Sequence, residues 1–235
     1  MPDWCNNSTT IHGDQETLTG FVEAITLNGD RSTYDLTLPF PIPEELQIIS
    51  MFFRSDADDD PENQELLEKY EANKAKYGHK DWVDWCMENW GTKWAPSPND
   101  HPLEVKAEIL LLSYETEWSP PSRLLQKISE LFPTITITNS FTCSVEVEGT
   151  GFWSCEAFRG GKKVASYEIS DGEMPEEFKK RRTPLENKSN SDDHDERDSA
   201  LSELKDIGIE MKEFCVAKVY QILESAGLPP YKWAD

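Results

Sequence analysis

The spacing of apolar residues separates strands from helices along this chain. Residues 103–111 alternate apolar with polar side chains, which is typical of a strand with one buried face. Residues 135–169 contain three further strand-like runs separated by glycine turns at 149–151 and 160–161. The pattern therefore predicts one strand and, later in the chain, a three-stranded antiparallel meander.

Two predicted helices each follow a strand. Residues 8–12 are rich in β-branched side chains, which predicts a short strand. Apolar residues then recur at helical spacing over 18–25. Residues 119–121, a serine and two prolines, suit a helix start, and an apolar stripe covers 124–132. The order strand, helix, strand, helix and meander predicts an α+β fold, with a ferredoxin-like antiparallel sheet and two helices on one face.

The other segments are predicted as additions to a core formed by residues 1–170. Prolines begin a stretch at about 39–101 that we expect to be a mostly helical insertion, acidic and rich in tryptophan. Residues 171–198 are polar and mixed in charge, which predicts a mobile linker. An apolar stripe within 199–235 predicts a C-terminal helix that docks on the core or on a partner.

Charge narrows the class of partner. The chain has 45 acidic and 23 basic residues, a net charge of -22. Such a surface repels nucleic-acid phosphates and anionic lipid, so we expect neither as a direct ligand and favour a protein partner with a basic surface. The candidate partner-binding carboxylates lie in the insertion: Asp56, Asp58, Asp59, Asp60, Glu62 and Glu65.

The acidic run does not have the spacing of a calcium loop. Pro61 occupies the position where an EF-hand requires glycine, so that motif is excluded. A solvated acidic turn is the simpler interpretation, and loose cation binding is the alternative. We predict no metal site and no cofactor.

The five cysteines are odd in number and no two lie close in sequence. This spacing predicts neither a disulfide framework nor a redox or zinc motif, and favours free thiols in a reducing compartment. With no export signal or membrane segment evident, we expect a cytoplasmic protein. Cys5 and Cys86 each follow a tryptophan and form a candidate thiol site if a histidine lies nearby, although burial against the indole rings is the simpler interpretation.

Tryptophans are concentrated in the second helix of the insertion and the loop after it. Trp82, Trp85, Trp90 and Trp94 are candidate partner-binding residues, because aromatic side chains dominate binding hot spots. The alternative is that these rings anchor the insertion on the sheet, since each ring buries a large area. Few lysines or arginines accompany them, which disfavours stacking on nucleic-acid bases.

Three tryptophan-containing segments carry a family resemblance. They are residues 1–7 (MPDWCNN), 85–94 (WCMENWGTKW) and 116–121 (TEWSPP). Together they resemble the YubB-like family of plasmid- and phage-encoded proteins, over about residues 1–169. The resemblance implies a ferredoxin-like domain of mobile-element origin, and with it a host or phage protein as the partner and the host cytoplasm as the location. It implies no catalytic residue and no biochemical activity.

These observations favour a non-enzymatic phage or plasmid accessory protein that binds a host or mobile-element protein. In one form of this hypothesis the carboxylates imitate nucleic-acid phosphates and inhibit a defence or DNA-handling protein. One alternative is a thiol- or metal-dependent enzyme centred on Cys5 and Cys86. Another is a phage assembly protein.

Overall fold

The computed structural model describes residues 4–48, 61–99, 103, 105–144 and 151–228. Its strands and helices, in chain order, are β1 (Trp4–His12), α1 (Gln15–Ala24), α2 (Pro61–Tyr77), α3 (Trp82–Asn89), β2 (Ser97–Pro98), β3 (Val105–Lys106), β4 (Ile109–Glu117), α4 (Ser122–Leu131), β5 (Thr136–Ser144), β6 (Gly151–Arg159), β7 (Lys162–Ile169), α5 (Glu176–Lys188) and α6 (His194–Ser225). None of the helices in these ranges combines the length and the apolar character that crossing a bilayer requires.

One antiparallel sheet contains all seven of these strands, in the order β2-β4-β1-β5-β6-β7, with β3 also paired to β4. Strand β1 lies between β4 and β5 and is antiparallel to both, so β4 and β5 run in the same direction. Helix α4 connects these two strands, which makes a split β-α-β unit. The α+β class predicted from the hydrophobic pattern is confirmed.

Helices α1 and α4 contribute to the core on one face of the sheet. Helix α1 begins after Asp14, whose carboxylate accepts a hydrogen bond of 2.8 Å from the backbone N–H of Thr17. The side chains buried on this face include Ile11, Leu18, Phe21, Leu110, Leu125 and Ile137. Burying such a side chain completely contributes about 1.5–3 kcal/mol, so this apolar layer holds the split unit together.

Helices α5 and α6 cover the opposite face. The residues of α6 that are buried recur every three or four positions: Ala200, Leu204, Ile207, Met211, Cys215, Val219 and Leu223. They share a core with Trp153 and Cys155 of β6, whereas Phe158 of the same strand belongs to the other core. The sheet therefore lies between two helical layers.

The prediction of a mobile linker over 171–198 is wrong. This segment contains α5 and the first residues of α6, which is capped by the Asp193 carboxylate. Phe178 is buried in the α6 core, and the Arg182 guanidinium lies 5.5 Å from the centre of the Trp153 ring. Leu185 also packs against this core, so three side chains dock a helix whose remaining residues are mostly polar. The composition of the helix therefore resembles that of a linker.

The prediction that every cysteine is a free thiol is also wrong. Cys5 of β1 and Cys143 of β5 form a disulfide, with their Cα atoms 4.1 Å apart. They lie directly opposite each other on adjacent antiparallel strands, the arrangement in which paired side chains approach most closely. The bridge joins residues 138 positions apart, so their spacing in sequence gave no indication of it.

The predicted strand over 103–111 is interrupted by a turn. Ala107 adopts a positive φ of 51°, and the chain reverses there so that β3 pairs with the start of β4. Because Val105 pairs with Leu110 across the two-residue turn, the predicted apolar positions are divided between the two faces of the sheet. Val105 packs with Leu110 and Leu112 in the core, whereas Ile109 and Leu111 lie on the opposite face. The continuous strand begins at Ile109 and extends to Glu117.

Candidate functional site

Three segments that are distant in sequence meet at one end of the sheet. Trp4 at the start of β1 pairs with Glu117 at the end of β4, and Trp118 follows Glu117 directly. The loop after α3 carries Trp94 and leads into β2, which pairs with β4. Trp4, Trp94 and Trp118 are 41%, 44% and 51% exposed, and we call these three side chains the indole platform.

Hydrogen bonds attach the loop after α3 to the end of β4. The Ser119 hydroxyl donates to the carbonyl of Gly91 at 2.7 Å, and the Thr92 hydroxyl donates to the carbonyl of Glu117 at 3.2 Å. Gly91 has a φ of 84°, and a Cβ there would lie 3.4 Å from the backbone nitrogen of Arg123. The positive φ favours glycine at this position, whereas a Cβ at 3.4 Å would make an ordinary van der Waals contact.

Lys93 lies between two indoles of the platform. Its ammonium is 4.6 Å from the centre of the Trp94 ring and 5.6 Å from that of Trp118, within cation–π range of both. Trp118 adopts a φ of 60°, a left-handed conformation that is rare for a bulky side chain and costs about 1–3 kcal/mol. The fold thus holds the half-exposed rings of Trp94 and Trp118 at the surface, although the backbone of Trp118 is strained.

A buried carboxylate belongs to the same edge. Glu117 is only 3% exposed, and its Oε2 atom has no hydrogen-bond partner among the described residues. Its backbone pairs with Trp4 and precedes Trp118. A buried acceptor without a hydrogen bond destabilises the free protein, and a donor from a ligand would remove this destabilisation.

The structure separates the predicted tryptophans into two groups. Trp90 is buried and donates its indole N–H to the carbonyl of Phe40 at 3.1 Å, and Trp85 packs edge-on against it. Trp82 and Trp85 are partly buried against the α1–α4 core. These three rings anchor α3, and only Trp94 of the predicted set belongs to the platform. Trp82 and Trp90 also line a shallow cleft of about 570 Å³.

Most of the predicted acidic cluster cannot be assigned to a surface. Asp56, Asp58, Asp59 and Asp60 lie outside the described residues, as does the side chain of Glu62. Glu65 on α2 is exposed and pairs with Lys69 at 2.7 Å, a hydrogen bond that lowers the pKa of its carboxyl. Exposed pairs of this kind contribute little to stability, so Glu65 remains a solvated charge.

The two candidate thiols occupy different environments. Cys5 is bonded to Cys143 and therefore carries no thiol. Cys86 is buried in the α1–α4 core, where desolvation and the charge of Asp81 raise its pKa to about 12. A thiol in this condition is protonated at neutral pH and is a poor nucleophile. The described residues also contain no group of three histidine, cysteine or carboxylate side chains placed to hold a metal.

Sequence reasoning did not find Trp4 or Lys93 as parts of the site. Trp4 precedes the run from which the first strand was predicted, and Lys93 is one basic residue in an acidic chain. The signal that could have found them is the presence of an indole in each of the three family-like segments. Their meeting point depends on strand pairing, which local periodicity does not specify.

Comparison with known proteins assigns this chain to no family. No protein-family model and no curated protein matches the chain. A similar solved structure is the crystal structure of a protein api92 from Yersinia pseudotuberculosis, of the family model DUF1281. The identity is 10%, the match covers 74% of this chain and 100% of that one, and the TM-score is 0.42. Functional reasoning therefore rests on the geometry of this chain.

Proposed function

We propose that this protein is a non-enzymatic binding protein that engages a partner protein through the indole platform. The observation that carries the proposal is that Trp94 and Trp118 stand half exposed on either side of Lys93, in a loop fixed by hydrogen bonds. Rigid aromatic side chains at a surface lose little conformational entropy on binding, and they are enriched at interface hot spots.

The exposed area of the two indole rings is large enough for a binding hot spot. A tryptophan buries about 150–250 Å² when fully covered, so a half-exposed ring offers a partner on the order of 100 Å². At about 25 cal/mol per Å², covering each ring contributes on the order of 2–3 kcal/mol. Two adjacent rings therefore account for a substantial part of a micromolar affinity.

Charge supports a partner with a basic surface. The chain carries a net charge of -22, and the unsatisfied Oε2 of Glu117 lies at the platform edge. A lysine or arginine of the partner would be attracted by the general negative field of the protein. A more specific form of the proposal is nucleic-acid mimicry, in which the acidic residues of the insertion occupy a basic groove of a defence or DNA-handling protein.

Origin and location are part of the same proposal. The resemblance to the YubB-like family supports a phage or plasmid accessory protein whose target is a host or mobile-element protein in the host cytoplasm. The Cys5–Cys143 bridge bears on the location, because structural disulfides are rare in reducing compartments. Trapping thiols in intact cells would test it: a fully reduced pair supports the cytoplasm, and an oxidised pair contradicts it.

The test of the platform compares three forms of the full chain as bait in cells that carry the mobile element. They are the wild type, the double variant Trp94→Ala/Trp118→Ala and the control Leu27→Ala, which removes an apolar side chain of similar exposure elsewhere. We expect a protein that is retained by the wild type and the control and lost from the double variant. Circular dichroism and thermal unfolding check that all three baits are folded.

Two results would count against the proposal. Equal retention of every partner by the wild type and the double variant would show that the platform is not the binding surface. For the purified partner, mimicry predicts an affinity that falls by several orders of magnitude between about 50 mM and 200 mM salt. An affinity that is insensitive to salt but sensitive to Trp94 and Trp118 would refute mimicry and leave the platform in place.

A further inference from the structure

A cleft separates α6 from one end of the sheet face that it covers. Helix α6 packs on β5, β6 and β7, and a cleft of about 1100 Å³ opens between it and strands β1 and β4. Leu111 of β4 and Ile209 of α6 line this cleft and are about half exposed. Its volume is at the upper end of the range for small-molecule sites.

The floor of the cleft is a grid of hydroxyl groups. Ser8 pairs with Ser140 and Thr10 pairs with Thr138 across β1 and β5, and all four residues line the cleft. Ser113 of β4 pairs with Ser8 from the other side and extends the row. Thr138 is 3% exposed, and its Oγ1 atom has no hydrogen-bond partner among the described residues. A polar atom in this condition is unfavourable unless a ligand or water reaches it.

One lysine reaches this floor from the helix. The Lys212 ammonium donates to the Ser8 hydroxyl at 2.8 Å, and no carboxylate of the described residues forms an ion pair with it. Desolvation lowers its pKa below the ordinary value for lysine. In a protein with a net charge of -22, a largely buried cation without a paired carboxylate is unusual, because buried charges normally have a counter-ion.

The other charges of the cleft lie toward solvent. Lys106 and Glu213 line it and are both exposed, so together they add no net charge. The walls are apolar at Leu111 of β4 and Val216 of α6, whereas Tyr220 of α6 forms a hydrogen bond between its phenol group and Thr10 of the floor. The cleft therefore combines one desolvated cation, several neutral hydroxyls and an apolar wall.

We infer that this cleft binds a small amphipathic monocarboxylate, with its carboxylate at Lys212 and the hydroxyl floor and its apolar body against the wall. An ammonium has three donors, and the hydrogen bond to Ser8 uses one of them. A single cation surrounded by hydroxyls suits one negative charge, whereas a polyanion would meet the repulsion of the whole acidic surface. The inference is independent of the indole platform.

Decanoate is the probe for this site, and decanol is the uncharged comparison with the same apolar chain. Titration calorimetry on the full chain would compare the wild type with Lys212→Met, which removes the charge and keeps an apolar stem. Lys205→Met on the exposed side of α6 is the matched control. We expect decanoate to bind the wild type and the control alike and Lys212→Met about tenfold or more weakly, because charged hydrogen bonds are stronger than neutral ones.

A second variant and a second measurement keep the test decisive. Thr138→Val should weaken decanoate binding severalfold without changing the charge. Amide shifts of the wild type on adding decanoate should be confined to β1, β4, β5 and α6. Any of three results overturns the inference: no saturable binding of decanoate, equal binding of decanol, or shifts confined to residues outside the cleft. Undiminished binding by folded Lys212→Met would overturn it as well.

Discussion

Reduction of the Cys5–Cys143 bridge should destabilise the protein without changing its fold. The bridge closes a segment with a sequence separation of 138 residues. In the chain-entropy account, a loop of this length restricts the unfolded chain by about 5 kcal/mol at 25 °C. Measured effects are smaller because unfolded chains retain structure, so we expect a loss of about 2–4 kcal/mol.

The assay is urea unfolding of the wild type with and without reductant, followed by tryptophan fluorescence. A parallel series on the double variant Cys5→Ala/Cys143→Ala separates the bridge from the packing of its sulfur atoms. We expect reductant to lower the unfolding free energy of the wild type and to leave that of the variant unchanged. The pairing of β1 with β5 extends over eight residue pairs, so the reduced protein should keep its sheet.

Counting thiols gives the result that would refute this reasoning. The chain has five cysteines, and three of them are free in the structure. Protein purified without reductant and then unfolded should therefore expose three reactive thiols, and five after reduction. Five thiols before reduction would mean that the bridge is absent. An equal effect of reductant on the double variant would mean that the stability difference has another source.

Three further perturbations test the packing and the ionisation of the core. Gly91→Ala should lower the unfolding free energy by about 1–2 kcal/mol, because the φ of residue 91 is 84°. Gly20→Ala on helix α1 should stabilise the protein slightly, because open space surrounds that position and alanine favours a helix. Thermal unfolding of both variants measures the two effects. Phe178→Ala should cost about 3 kcal/mol and release α5, seen as faster amide exchange in that helix than in α4. Burial lowers the pKa of His12 from 6.5 to about 4, so the unfolded chain takes up a proton before the folded one does. Stability should then be lost as pH falls from about 6.5 to about 4, by up to about 3 kcal/mol, and the imidazole of His12 should still be neutral at pH 5 by NMR.

The hydrophobic pattern predicted the class of fold because class depends on the order of elements. Strands β5, β6 and β7 form the predicted meander, and the apolar stripes at 18–25 and 124–132 fall within or beside α1 and α4. Local pattern was not sufficient where a few tertiary contacts decide the structure. Helix α5 depends on burial of Phe178 and Arg182, and no local rule distinguishes its polar surface from that of a linker.

The candidate site was predicted only in part for a similar reason. Trp90 and Trp94 lie four residues apart, yet one is 4% exposed and the other 44%. The difference arises at Gly91, where the positive φ ends the helical spacing and turns the chain toward Ser119. Exposure of an aromatic ring is set by such a turn and by its distant partner, and neither can be deduced from residue type.

Polar contacts on the core face of β1 determine where both proposed sites lie. Asn7 donates to the Thr116 hydroxyl, and the Thr9 hydroxyl bonds to Tyr114 and Asn139, so these contacts join β1 to β4 and β5. Buried polar networks of this kind satisfy their partners in only one register.

The two-residue period of a strand then sends Trp4, Ser8 and Thr10 to the opposite face. A slip of one residue would exchange the two faces, losing the core contact of Ile11 together with both sites. Trp4 and Ser8 are about 13 Å apart along the strand at the usual rise per residue. The polar contacts on the core face of β1 therefore fix its register, and this register determines which side chains of β1 lie at the two proposed sites.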